Sequence, residues 1–266
     1  MKKYIGIRGH RGAGKNTISY LLGQTINFIL TSSRLTEEQR IELYKPLYKQ
    51  WCDDYISDEQ STDLHSRFVY LDSFGDTPKM LVSLLTNIPV DYIYSDYYKD
   101  HCVVNIGSFR YEVFEKDIPY TLYTADQLLE SVQEKHNKGD AFSLSEVYMT
   151  LREFIIYYAS VTSIFLGRDV WVKSKRADEE RLDELDIDTT DKYIIFTDLK
   201  APTEVTYIKD RQGVIIRVQR PKNKKKDKGV DSLDKDIRVD YDINIDNIYN
   251  LQEEIYNIAK AVINKQ

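Results

Sequence analysis

Apolar positions along the chain follow two rhythms. In Lys3–Arg8, Phe68–Phe74, Lys192–Thr197, Gly213–Val218 and Asp240–Ile245 they run together, as in strands covered on both faces. Helical spacing fills intervals between them: residue 14 to about Ile29, roughly Thr77–Thr86, Pro202–Arg211, and about Tyr249–Asn264. In the last of these, Leu251, Ile255, Ile258, Ala259 and Val262 share one face. Thr124-x-x-Gln127 and Ser143-x-x-Glu146 each read as a capping box opening a helix. Alternation around Gly107-Ser108, between Cys102 and Glu115, predicts a small hairpin outside the main sheet. Strands interleaved with helices predict an α/β fold with a mainly parallel, five-stranded sheet.

Composition narrows the function. A chain of 266 residues buries about three-quarters of its unfolded surface and needs no disulfide or metal to fold. Its two cysteines, Cys52 and Cys102, form no CxxC pair, and its four histidines show no metal spacing. The formal charge of −6 supplies no global attraction for nucleic acid or an anionic membrane. The basic start, Lys2-Lys3 followed by Arg8, leaves no apolar signal-peptide core, so a soluble cytoplasmic protein is expected. Two charged segments stand out. Asp178–Asp191, with eight carboxylates against one arginine, reads as a solvated linker. Lys222–Lys228, with five lysines, lacks the interleaved aromatics of a nucleic-acid surface.

The most specific motif follows the first strand. Gly9-His10-Arg11-Gly12-Ala13-Gly14-Lys15-Asn16-Thr17 contains G-x-x-x-x-G-K, the core of a Walker A loop. Glycines let successive N–H groups face a phosphate chain, the following helix adds its positive end, and lysine reaches the terminal phosphates. Asn16 stands where Ser or Thr usually helps hold magnesium, and Thr17 restores that hydroxyl one position later. No guanine-reading N-K-x-D follows a strand and no apolar run ends in Asp-Glu, which leaves a small-substrate kinase.

Further segments resemble the deoxynucleoside monophosphate kinases of tailed bacteriophages, relatives of dephospho-coenzyme A kinases within the P-loop kinase fold. Ser73-Phe74-Gly75-Asp76-Thr77-Pro78-Lys79 is similar to the family's Ser/Ala-Phe-Ala-Asp-x-x-Lys. Thr150-Leu151-Arg152-Glu153 through Gly167-Arg168-Asp169-x-Trp171 is similar to its Thr-x-Arg-Glu helix and the Gly-Arg-Asp beyond it. Thr197-Asp198-Leu199-Lys200-Ala201-Pro202-Thr203-Glu204 is similar to Ser/Thr-Asp-Val-Arg-Phe-x-Asn-Glu, with Lys200 replacing an arginine. Ile216–Pro221, a polar lid and Asp240–Asn247 complete the order.

The resemblance implies a P-loop NTPase-type three-layer sandwich. Residues 1–30, 66–90 and 190–266 would form the P-loop core, 91–177 a mostly helical substrate-binding insertion, and 219–236 a lid. It implies phosphorylation of a deoxynucleoside 5′-monophosphate by ATP and Mg²⁺, a homodimer, and the cytoplasm of a phage host. Gly9, Arg11, Gly12, Ala13, Gly14, Lys15, Asn16 and Thr17 would hold ATP, and Thr17 and Asp198 the metal. Lys15, Asp198, Arg152 and Arg220 would be catalytic, while Lys79, Arg152, Arg168, Asp169, Trp171 and Lys200 would hold the acceptor. Arg152 is expected in the second turn of a capped helix, and Arg217 and Arg220 are expected to make one strand end basic. The tyrosines of Tyr92–Tyr98 suggest a planar ligand surface. Plainer roles stay open: Asp198 as a helix cap, Trp171 as core, the lysines as solvated charge. So do two other functions, a kinase for another acceptor such as dephospho-coenzyme A, and a non-catalytic nucleotide-binding module.

Overall fold

Strand β1 (Lys3–Arg8) leads through the glycine-rich turn into α1 (Lys15–Thr31). The computed structural model describes residues 2–57, 66, 68–184, 192–220 and 237–265. Next come α2 (Glu37–Ser57), β2 (Val69–Asp72), α3 (Asp76–Thr86), α4 (Val90–Tyr94) and α5 (Asp96–His101). Then follow β3 (Cys102–Asn105), β4 (Tyr111–Val113), α6 (Ala125–Lys138), β5 (Tyr148–Thr150) and α7 (Leu151–Leu166). The chain continues with α8 (Val170–Glu184), β6 (Tyr193–Leu199), α9 (Pro202–Asp210), β7 (Val214–Gln219), β8 (Tyr241–Asn244) and α10 (Gln252–Asn264). Two compact units result: residues 1–74 with 175–266, and residues 75–174.

The first unit is built on a five-stranded sheet in the order β2-β6-β1-β7-β8, and every pairing is parallel. Side-chain alternation along β1 explains why its apolar residues are consecutive. Ile5 and Ile7 join the core formed with α1, α2 and α10. Tyr4 and Gly6 serve the opposite face, where Tyr4 meets Tyr207 of α9 edge-on and the Gly6 position abuts Ile208. Helices therefore cover both faces, as a parallel sheet requires. On α1, Ile18, Leu21, Leu22 and Ile26 are fully buried, each stabilising the fold by about 1.5–3 kcal/mol. The five residues expected on one face of the terminal helix are all buried, although its first turn, Ile248–Leu251, is a 3-10 turn. There the Asn247 side chain accepts from the Tyr249 N–H.

The second unit has an antiparallel sheet in the order β4-β3-β5, to which the expected hairpin contributes β3 and β4. Its core gathers Val82, Ile93, Val104, Leu128, Met149 and Phe154 from both strands and helices. The Thr124 capping box forms in full: Gln127 N–H donates to Thr124 Oγ1 and Thr124 N–H to Gln127 Oε1.

Three readings of the sequence are corrected and one helix is added. The Ser143 box opens no helix: Ser143 Oγ bonds Ser145 Oγ, and the chain enters strand β5, where Met149 is buried between the half-buried Tyr148 and Thr150. The helix starts at Leu151, capped by Thr150 Oγ1 accepting from Glu153 N–H, so Arg152 sits in its first turn. Asp178–Glu184 is not linker but the second half of α8. Helix α2 was not expected, because only Tyr44, Tyr48 and Cys52 are buried along a polar segment interrupted by Pro46. The rest of the acidic run, 185–191, and the lysine run Lys222–Lys228 with most of the expected lid lie outside the described residues. No helix among the described residues is long and apolar enough to cross a membrane.

Candidate functional site

In the first unit the candidate residues gather where β1 ends. A Cβ at Gly9 would lie 2.3 Å from the Val218 carbonyl oxygen, so only glycine lets the chain pass β7 this closely. Gly14 precedes α1 at φ 93°, a conformation strained for any residue with a side chain. Ala13 is buried and donates its N–H to the His10 carbonyl, while Arg11, Gly12 and Asn16 face solvent and Thr17 is buried.

Lys15 opens α1 but folds back over the turn. Its Nζ donates to the Gly9 and His10 carbonyls at 2.9 and 3.0 Å and lies 3.7 Å from Asp198 Oδ1. Burial pushes this ammonium below its ordinary pKa, and Asp198 opposes the shift. Asp198 stands near the end of β6, the strand beside β1, and its other oxygen is 2.6 Å from the exposed Lys200 ammonium.

The turn after β6 is organised by Glu204, a residue not assigned a site role from the sequence. Its Oε2 accepts from the Lys200 and Ala201 N–H groups at 2.6 and 2.9 Å, and it is buried. Burial pushes its carboxyl above the ordinary range against those two donors. The legible signal was Pro202 at the first helical position with a glutamate two residues on. Asp198 thus lies ahead of the α9 cap position, which Ala201 occupies. Arg220 extends past β7 so that its guanidinium is 3.5 Å from a Cβ built on Gly14. Arg217 is instead engaged by the Asp242 carboxylate at 2.5 and 3.0 Å, so the strand end is not basic on its account.

The second unit assembles a different group. Arg152 Nε and Nη2 fork onto Asp100 at 2.5 and 3.1 Å, and Nη2 also reaches Asp96 Oδ1 at 3.2 Å. Lys99, which the sequence did not single out, donates to the same Asp96 oxygen at 3.0 Å and to the Tyr94 carbonyl at 3.1 Å. Lys79 is 3.0 Å from Asp76 Oδ1 and lies over the Tyr94 ring at 4.7 Å. No local spacing points to Lys99, because its link to Arg152 spans 53 positions along the chain. The tyrosines of Tyr92–Tyr98 largely serve one another: Tyr92 stacks on Tyr98 at 3.8 Å and Tyr97 on His101 at 4.2 Å.

Arg168, Asp169 and Trp171 follow the far end of α7, on the order of 20 Å of helix from Arg152. One phosphate cannot be held from both places. Trp171 Nε1 donates to Ser163 Oγ at 3.0 Å, half-buried, and Asp169 pairs with Lys173 at 3.1 Å. Arg168 is exposed.

Chemically, the first group offers buried positive charge, a close-packed glycine turn and one carboxylate. Among the described residues no three His, Cys, Asp or Glu side chains cluster to hold a metal. Thr17 and Asp198 are a sparse oxygen set, of the kind that suits Mg²⁺ when phosphate and water supply the remaining ligands. No protein-family model matches the chain, and no curated protein matches it.

Proposed function

We propose that the protein is a P-loop kinase that transfers the γ-phosphoryl group of ATP to a deoxynucleoside 5′-monophosphate. The observation that carries this reading is the approach of Lys15 to Asp198, 3.7 Å apart at the ends of adjacent parallel strands, with the glycine turn between β1 and α1. Parallel sheets hold ligands at this edge. Phosphoryl transfer asks for positioned cations more than for covalent chemistry, and Lys15 with Arg220 beside Gly14 supplies them. The Lys15 ammonium exchanges the Gly9 and His10 carbonyls for phosphate oxygens, which bring full negative charge to the same place. Asp198 is free to turn from Lys200, which is largely exposed, toward a cation or the acceptor oxygen. Bound Mg²⁺, held by Thr17 and Asp198, would neutralise phosphate charge. Arg152 supplies a guanidinium for the acceptor's phosphate, in keeping with the resemblance to phage deoxynucleoside monophosphate kinases.

The test is incubation with Mg-ATP and a panel of deoxynucleoside monophosphates plus dephospho-coenzyme A, with products followed by chromatography. A deoxynucleoside diphosphate formed together with ADP supports the reading. Transfer only to dephospho-coenzyme A replaces the acceptor, and ATP binding without transfer to any acceptor removes the kinase.

A further inference from the structure

Lys79, Lys99 and Arg152 of the second unit are each less exposed than the carboxylates they pair with. Side-chain exposure is 14% for Lys99, 18% for Arg152 and 24% for Lys79, against 82% for Asp96. Lys99 and Arg152 converge on a single oxygen, Asp96 Oδ1, from 3.0 and 3.2 Å. Asp96, Lys99 and Asp100 fall at i, i+3 and i+4 of α5, so one face of that helix presents both the cation and its covers. Burial first, then the nearby Lys79 and Arg152 charges, push the Lys99 ammonium below its ordinary pKa. Three positive groups are thus held close together by carboxylates, of which the one shared by two cations is the most exposed.

We infer that Lys99 and Arg152 together seat the acceptor's phosphate, and that the Asp96 carboxylate is an internal stand-in which this phosphate displaces. The identity of the acceptor rests on the reading above, whereas the anion seat itself does not. Displacement follows from charge: a phosphate monoester carries nearly two negative charges at neutral pH and a carboxylate one. The short distances to a single Asp96 oxygen mark a point where two donors already converge. Asp100, which holds the guanidinium by its Nε edge, stays in place and orients Arg152. Lys99 is then a binding residue for the reaction, and Asp96 sets how tightly the acceptor is held.

The test is NMR titration of the full-length protein with inorganic phosphate, with 2-deoxyribose 5-phosphate and with 2-deoxyribose. The sugar phosphate should bind and the sugar alone should not; binding of inorganic phosphate as tight as that of the sugar phosphate would make the seat one for the free anion and overturn the acceptor assignment. Asp96→Asn should tighten sugar-phosphate binding about fivefold, the scale of one partly exposed ion pair. Lys99→Met should weaken it about tenfold or more, and Lys99→Arg should restore most of the loss. Unchanged or weaker binding by Asp96→Asn overturns the stand-in, because the carboxylate would then be supporting the cations. Binding within twofold of the parent by a folded Lys99→Met variant overturns the seat. These arms do not depend on turnover. If they follow expectation while no phosphoryl group is transferred, the anion seat stands and the kinase reading falls; if transfer occurs and neither variant shifts binding, the reverse holds.

Discussion

The glycine turn of the first unit and the cation cluster of the second fix positive charge by different means. Around Lys15 the fixed partners are mostly backbone: two carbonyls, a glycine that clears the Val218 carbonyl, and a helix starting at the turn. Around Arg152 they are side chains, Asp96 and Asp100, carried by a six-residue helix. A backbone cradle is held by the sheet beneath it and is costly to rearrange. A side-chain cluster is held by ion pairs that solvent and ligands can exchange. The first arrangement suits a ligand part common to all substrates, and the second suits an acceptor whose affinity must be tuned.

The largest expected effect tests the backbone-held charge. Lys15→Ala should lower phosphoryl transfer by at least three orders of magnitude, since its ammonium would neutralise charge that grows during transfer. The melting temperature should stay nearly unchanged, because the turn is fixed by glycines and the strand, not by this side chain. Turnover within tenfold of the parent, measured with saturating acceptor, would remove Lys15 from the reaction and dissolve the contrast.

Next comes the support beneath the second site. Phe154 is buried at 2% exposure two residues from Arg152 in the first turn of α7. Phe154→Ala should destabilise the second unit by about 3–5 kcal/mol. Hydrogen exchange should rise in β3, whose Val104 shares that core, while β1 keeps its protection. Equal loss in β1 would mean that the two cores unfold as one.

The same contrast explains what the sequence made legible. Strands of the first unit are runs such as Tyr4-Ile5-Gly6-Ile7, apolar on both faces because helices lie on both, and a run of that kind announces itself. The glycine motif is local as well, since strand, turn and helix are contiguous. In the second unit the decisive contacts are distant: Arg152 finds Asp100 52 positions away and Asp96 56 away. Local rules misled at Ser143, where a satisfactory capping pattern lost to β5 pairing with β3, because Val147 and Met149 gained a core in that conformation. Helix α2 was hidden by the narrowness of its buried stripe, and Glu204 because a carboxylate holding two N–H groups of a turn has no distinctive spacing.

A smaller effect separates the two sites kinetically. Arg152→Met keeps much of the apolar stem and removes the charge, at about 1.5–3 kcal/mol for a partly desolvated contact with phosphate. The acceptor KM should rise by roughly one to two decades and the ATP KM stay within about threefold. Arg152→Lys should recover only part of this, because an ammonium cannot reproduce the planar fork seen on Asp100. Equal changes in both constants would make Arg152 a structural residue and leave the second unit without a site of its own.

The smallest effect concerns an ion pair in the first unit, the counterpart of Asp96 in the second. Burial alone would raise the Asp240 carboxyl, but the Lys209 ammonium at 2.6 Å and the Ile215 N–H at 2.8 Å outweigh it and hold the pKa below the ordinary range. A carboxyl depressed in the folded state contributes stability that is fully present above its unfolded pKa, about 3.9, and is lost as pH falls through the folded value. Asp240→Asn should therefore cost up to about 1 kcal/mol at pH 7, after allowance for partial exposure, and almost nothing at a pH well below the folded pKa. Urea unfolding of both proteins at pH 7 and at a series of falling pH values measures the difference. Asp96 is also depressed, by Lys99 and Arg152 against the opposing effect of burial, so Asp96→Asn follows the same sign. It is far more exposed than Asp240, and its loss should move stability less while moving anion affinity more. A larger stability loss from Asp96→Asn than from Asp240→Asn would invert the comparison, making the side-chain cluster the structural element and the sheet edge the adjustable one.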